Sequence, residues 1–228
     1  MKRNQSGFTL IEIAIVLVII GLLLGGVLKG QELINSAKVK NLATDFKNVP
    51  VYIYGYQDKY HALPGDDVNV ATHLGAAATP CTGAPVVVAG SCNVGSGVID
   101  GGWDSLTAAT ESYVFWQHVR LAGFASGITD TTAAAQPTYT PTNAVGGNIG
   151  ITNAAQSPVT GLTGTYIVCS NAIPGKFATQ LDTLLDDGNT ATGSMQVVPV
   201  NTPTATPVAA IATGAIVPDT PYLVCMGF

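Results

Sequence analysis

The chain has 228 residues, of which 10% are charged, 47% are hydrophobic and 26 are glycine. That length suits one domain with an appendage, and the charge content is low for a soluble globular protein. Seven of its nine Lys and Arg lie at or before Lys59, while ten of its fourteen acids follow residue 60; the acidic remainder argues against a nucleic-acid partner, which would need basic patches.

Lys2 and Arg3 precede an apolar run from Phe8 to Leu28 whose one charge is Glu12. At about 1.5 Å per residue the run covers roughly 30 Å, the hydrocarbon thickness of a bilayer. It is too long for the apolar region of a secretory signal peptide. A membrane anchor fits its length, with Lys2 and Arg3 on the cytoplasmic side. An anchor alone leaves Glu12 unexplained, and an ionisable group at membrane depth marks a function.

Helical periodicity continues past Lys29. Leu33, Ile34, Ala37, Val39, Leu42, Phe46 and Val49 recur at helical spacing, with Lys38, Lys40, Asp45 and Lys47 between them. This amphipathic continuation can lay one face on a sheet. Pro50 predicts a kink, because it lacks an amide donor. A resumed helix to Tyr60 would put Tyr52, Tyr56 and Tyr60 on one face. Glycines 21, 25, 26 and 30 each weaken the helix by roughly 1 kcal/mol, and the segment between Gly21 and Gly30 could melt locally.

After Tyr60 the composition turns to Ala, Thr, Gly, Val and Pro. Residues 61–66 (HALPGD) form a turn signal. A helix is expected over 107–122, capped by Asp104 or Ser105 and ending at Gly123, with Val114, Phe115, His118, Val119 and Ala122 on one face. A second is expected over 174–187, with Pro174 near its start, Gly188 past its end, and Phe177, Leu181, Leu184 and Leu185 as its buried stripe. Strands are expected at 165–169, 195–200 and 221–226. Stretches 131–163 and 201–214, rich in Thr, Ala, Gly and Pro, read as surface loops or linkers.

The four cysteines (Cys81, Cys92, Cys169, Cys225) form no C-x-x-C pair and have no zinc-type spacing. An even count in an exported domain favours disulfides. Three connectivities are open, as are four free thiols; nearest-neighbour pairing, Cys81–Cys92 and Cys169–Cys225, is the expected one. The segments TYIVC and PYLVC resemble each other, and pairing them as neighbouring strands would bring Cys169 to Cys225. Asp104 or Glu111 beside His118 is an acid–base constellation on paper, but His118 lies on the apolar face of its own helix and reads as a hydrogen-bonded core residue. No nucleophile-elbow, phosphate-loop or HExxH motif occurs.

The residues Gly7-Phe8-Thr9-Leu10-Ile11-Glu12, the basic leader before them and the apolar run after them resemble the G-F-T-L-[IV]-E signature of type IV prepilins and the pseudopilins of type II secretion. Leu63-Pro64-Gly65-Asp66, Phe115 to Gly123 and Leu181 to Ser194 resemble segments of prepilin-like heads. The resemblance implies cleavage between Gly7 and Phe8 by a prepilin peptidase and N-methylation of Phe8. It implies an assembly role for Phe8 and Glu12, in which Glu12 of one subunit faces the amine of the next. The fold it implies is an α+β ladle, an N-terminal helix with a protruding apolar half and an amphipathic half packed on an antiparallel sheet. The domains would be a leader at 1–7, a helix at 8–60 (8–28 being the transmembrane and filament core) and a head at 61–228. The chain is expected to be no enzyme and to bind no cofactor except, as a weaker expectation, calcium. Secretion pseudopilins often bind calcium in a head loop, and oxygen ligands suit it. Asp66 with Asp67, Asp100 with Asp104, and Asp182 with Asp186 and Asp187 are the candidates. Related heads often carry an acidic N-G-D-G-type loop; the corresponding Asn93 to Asp100 has lost most of its carboxylates. Three acids at 182–187 also oppose the dipole of their helix. The expected partners are further copies of the chain, the peptidase, the pilus assembly machinery and the inner membrane. The roles to be separated are a pilus subunit, a pseudopilin or minor pilin of a secretion or DNA-uptake system, and a membrane-anchored binding domain.

Overall fold

The structure is a computed structural model that describes residues 10–81, 92–132, 135–200 and 206–228. The first helix, α1, runs from Leu10 to Tyr60. By compactness the chain divides into Met1–Lys38 and Val39–Phe228, a boundary that falls inside α1.

In the first unit α1 is apolar on all sides from Leu10 to Leu28, with Glu12 its one charge there. Every residue from Leu10 to Lys29 is exposed. Leu10 is 93% exposed and Leu22 73%, so nothing in this unit covers the apolar surface. By length and composition the helix is able to cross a membrane. Gly21, Gly25 and Gly26 have no neighbour within 4 Å of a modest side chain, and the helix runs through them unbroken.

In the second unit the pattern changes. Val39, Leu42, Ala43, Phe46, Val49, Pro50, Ile53 and Tyr56 are buried, at intervals of three and four. The helix continues past Pro50 to Tyr60. The missing amide is tolerated because Val49 and Ile53, on the same face of the helix as Pro50, are at most 1% exposed in the core; tertiary packing overrides the local penalty.

Four strands form one sheet: β1 (Ile149–Thr152), β2 (Ile167–Pro174), β3 (Met195–Pro199) and β4 (Pro221–Gly227). Their order is β1-β2-β4-β3, and every neighbouring pair is antiparallel. Both faces are buried, which is why these strands read as continuous apolar runs rather than alternating ones. On one face Val168, Ile173, Val197 and Val224 share a core with α1, α3 (Glu111–Leu121) and α5 (Gly175–Leu185). On the other, Ile167, Cys169, Val198, Leu223 and Cys225 pack with Trp103, Val159 and Leu162. The remaining helices are the short α2 (Val70–Leu74) and α4 (Gln136–Tyr139).

Several expectations shift. The helix expected over 107–122 begins at Glu111, with Thr110 rather than Asp104 or Ser105 at its N-cap. Residues 107–110 are spent in a turn closed by Thr110 N–H to Thr107 O, and Ser105 Oγ pairs with Thr110 Oγ1 at 2.6 Å. The second expected helix stops at Leu185, with Asp186 already outside helical backbone. The stretch 131–163 is not a surface loop throughout: Tyr139 and Ile151 are 0% exposed, and β1 lies within it. The Tyr139 ring lies tilted against that of Tyr113, centroids 4.3 Å apart, and its hydroxyl donates to Tyr113 O. Residues 201–205 of the second such stretch lie outside the described residues.

The register of β2 breaks between Ser170 and Ile173. Within this bulge Ala172 takes φ 56°, a left-handed conformation that costs an L-residue about 1 kcal/mol. Ala172→Gly is therefore expected to stabilise the head by no more than about 0.5 kcal/mol, since glycine's own entropy cost offsets much of the relieved strain. A urea titration of the two proteins checks this; a destabilised variant would show that Ala172's methyl contacts outweigh the strain.

Candidate functional site

The first candidate is the N-terminal segment. Glu12 sits in the first turn of α1, where an acid is favoured by the helix dipole. It is the single acid among the exposed apolar residues from Leu10 to Leu28. Gly7 and Phe8, the expected cleavage pair, lie outside the described residues.

The second candidate is where the two head segments singled out in the sequence meet. Gly65, in the Leu63–Asp66 turn, donates its N–H to His118 Nδ1 at 2.9 Å. His118 Nε2 is 3.0 Å from Thr79 O. One neutral tautomer, with the proton on Nε2, satisfies both contacts. Burial pushes the imidazole below its ordinary range, in line with that neutral form. His118 is thus a fully buried core residue with both nitrogens committed. Gly65 stands at φ 96°, and a Cβ there would lie 2.7 Å from Glu111 O, so only glycine allows the turn to close against α3.

Asp66 and Glu111 hold the neighbouring loop. Asp66 accepts N–H groups from Gly95, Ser96 and Gly97. Glu111 accepts from Asn93 and Asp100, at 2.7 and 2.8 Å. The 93–100 loop, poor in carboxylates of its own, is wrapped around two borrowed from elsewhere. That role was not readable from the sequence; the LPGD turn was its one local sign. Cys81 and Cys92 flank the same place and are joined in a disulfide, so the Cys81–Cys92–Glu111 cluster offers no thiolate to a metal. Asp100 accepts from Asn153 Nδ2 at 2.8 Å; Asp104 is exposed.

Burial pushes Glu111 up to about 7, against two backbone N–H groups that favour its ionised form, with the charges of Asp66 and Asp100 adding to the rise. Burial also pushes Asp45 up to about 6. The folded chain therefore binds protons more tightly than the unfolded one at both positions. Stability from these groups is complete below their ordinary values and declines as pH rises through 4 to 7. The melting temperature is expected to be higher at pH 5 than at pH 8, and Glu111→Gln should flatten that slope. Equal melting temperatures at both pH values would contradict this.

A cleft of about 810 Å³ lies beside the turn, lined by Tyr60, His61, Asp67, Asn69, His73 and Tyr166 among others. Asp67, 1% exposed, accepts from Tyr56 Oη at 2.7 Å and pairs with His73 Nδ1 at 2.7 Å. It also takes the N–H of Asn69. In the sequence Asp67 stands only as a metal-ligand candidate; its link to His73, six residues on, is not legible there because α2 is needed to turn one toward the other.

The third candidate lies at the end of α5. Ligand oxygens of Asp182, Asp186 and Asp187 come within 4.8 Å of one another. Asp182 is fully buried, and burial, reinforced by the two neighbouring acids, raises it to about 6 although Gly188 N–H opposes the rise. The other disulfide, Cys169–Cys225, joins β2 to β4 at directly opposed positions, with Cα atoms 4.1 Å apart.

Against known proteins, residues 2–28 match the prokaryotic N-terminal methylation motif. No curated protein and no solved structure matches the chain. The chain thus carries a type IV prepilin-like leader of the kind found in pilin-like and pseudopilin proteins, joined to an apolar helix. Leader and helix together support anchoring in a membrane through the N-terminus, and such a leader implies processing by a prepilin peptidase.

Proposed function

We propose that this chain is the structural subunit of a type IV pilus-like filament. It waits in the inner membrane, loses residues 1–7 between Gly7 and Phe8, is N-methylated on Phe8, and joins a homopolymer through residues 8–28. Residues 8–60 serve as the assembly helix and 61–228 as the displayed head. The observation that carries this reading is the methylation-motif match over residues 2–28, with one acid, Glu12, in an otherwise apolar exposed helix.

The chemistry follows from charge. Cleavage removes Lys2 and Arg3 and leaves a cationic amine on Phe8. In a filament each subunit is displaced along the axis from the last. Glu12 of one subunit then meets the amine of its neighbour, and two charges that would each be costly in an apolar core neutralise one another. The pair acts as a register device: only one axial offset brings the two together. The same logic suits a pseudopilin or a minor pilin, since the motif is common to these classes. The motif's kinship favours a structural role over an enzymatic one. The assembly ATPase and platform protein of such systems are the partners it calls for.

Immunogold electron microscopy with an antibody to the head tests the reading. Labelled surface fibres that vanish when the gene is deleted are expected. Short label confined to the envelope would move the chain to the pseudopilin class, and label on neither kind of filament would refute the filament role.

A further inference from the structure

We infer that the C-terminal end of α5 is a calcium site, with Asp182, Asp186 and Asp187 as its protein ligands. This stands apart from the filament reading and uses none of its residues. The cluster comprises three carboxylates with oxygens within 4.8 Å of one another. A group of acids alone is an ordinary surface feature. Here one of the three is inside the protein. Asp182 is 0% exposed; its Oδ1 accepts Gly188 N–H at 3.1 Å, and its Oδ2, sealed from solvent, has no hydrogen-bond partner. A buried carboxylate oxygen without a donor is among the costlier arrangements in a folded chain.

The surroundings do not supply the missing positive charge. The last turn of α5 contains no basic residue. Lys176, in its first turn, is paired at 2.9 Å with Asp219. A helix C-terminus carries partial negative charge, so three acids there repel both one another and the helix.

Other contacts hold the carboxylates in place without neutralising them. Asp186 Oδ2 accepts the N–H of Met195, the first residue of β3, at 2.8 Å. Gly193 takes φ 75°, and a Cβ there would collide with the Asp186 carboxylate, so the loop from α5 to β3 is shaped to bring backbone against this acid. Asp187 accepts from Asn189 N–H at 2.8 Å and Thr192 Oγ1 at 2.7 Å. The result is a preorganised set of hard oxygen donors. Such donors select calcium or magnesium over softer metals. Several carboxylates in an irregular arrangement suit calcium, because magnesium demands a near-ideal octahedron and sheds water reluctantly. The ion would bind the end of α5 to the start of β3.

The test uses the full-length chain in dodecyl maltoside micelles, stripped with EDTA and titrated with calcium chloride or magnesium chloride. One calcium per chain is expected, with a Kd on the order of 10⁻⁴ M, as in extracellular modules. Calcium at ten times Kd should raise the melting temperature by about 4 °C, and magnesium should not. Asp182→Asn and Asp187→Ala should each weaken calcium binding at least tenfold. Asp219→Asn, remote from the cluster, serves as a control and should not. If Asp182→Asn fails to fold, the exposed Asp187 carries the test. No calcium heat with no melting shift would overturn the proposal. So would binding undiminished by Asp187→Ala, or an equal response to magnesium.

Discussion

Replacing Glu12 by Ala is expected to leave leader removal intact and to lower filament yield more than tenfold. In the proposed assembly the peptidase would meet the segment around Gly7 and Phe8, while Glu12 would be needed later, when the Phe8 amine of one subunit enters the apolar core of the polymer. Without the carboxylate that amine remains charged in a low-dielectric setting, at a cost of several kcal/mol per subunit. A tenfold loss needs only about 1.4 kcal/mol, so the effect should saturate an assembly assay. Glu12→Gln keeps the size and removes the charge, and should fail similarly. The measurement is the ratio of chain in sheared surface fibres to processed chain in membranes. Wild-type yield from either variant would show that Glu12 has no part in register.

The second large effect belongs to the Cys169–Cys225 disulfide. It closes 56 residues of chain, against 11 for Cys81–Cys92. In the chain-entropy account a cross-link stabilises by restricting the unfolded state, more so for longer loops. That gives about 4 kcal/mol for the first and about 3 kcal/mol for the second. Both sulfurs of the first also lie in the dry face of the sheet, packed with Trp103, Val159 and Leu162. The double variant Cys169→Ala/Cys225→Ala should lower the urea midpoint by about 2 M. Cys81→Ala/Cys92→Ala should lower it less. The reverse ranking would indicate that the unfolded chain retains structure holding β2 near β4.

The parts of this fold that are readable from sequence are those whose signal is local. Phe8 to Leu28 declares itself by length and by its lone acid. TYIVC and PYLVC declare themselves as central strands because each is apolar on both faces, and Cys169 and Cys225 then fall opposite one another. The parts that are not legible there depend on contacts across the chain. Pro50 alone does not say how far the helix runs; with Val49 and Ile53 held in the core it continues to Tyr60. Ile149–Thr152 is four residues in a run of Gly, Thr and Ala, too short for a period to register, and it is a strand because Ile151 finds the core and its backbone finds β2. Asp66 reads as a candidate ligand, but it is a clamp whose three N–H partners lie some thirty residues on. The same holds for the α5 cluster. The spacing of Asp182, Asp186 and Asp187 and their conflict with the helix dipole are visible in the sequence. That Asp182 is sealed inside with one oxygen unmatched is visible only in the fold.

The central claim is that a cut after Gly7 creates the cation that Glu12 needs in the polymer. Mass spectrometry of the N-terminal peptide from sheared surface fibres tests it most directly. The expected peptide begins at Phe8 and carries one methyl group on its amine. Fibres whose subunits still begin at Met1 would contradict the account.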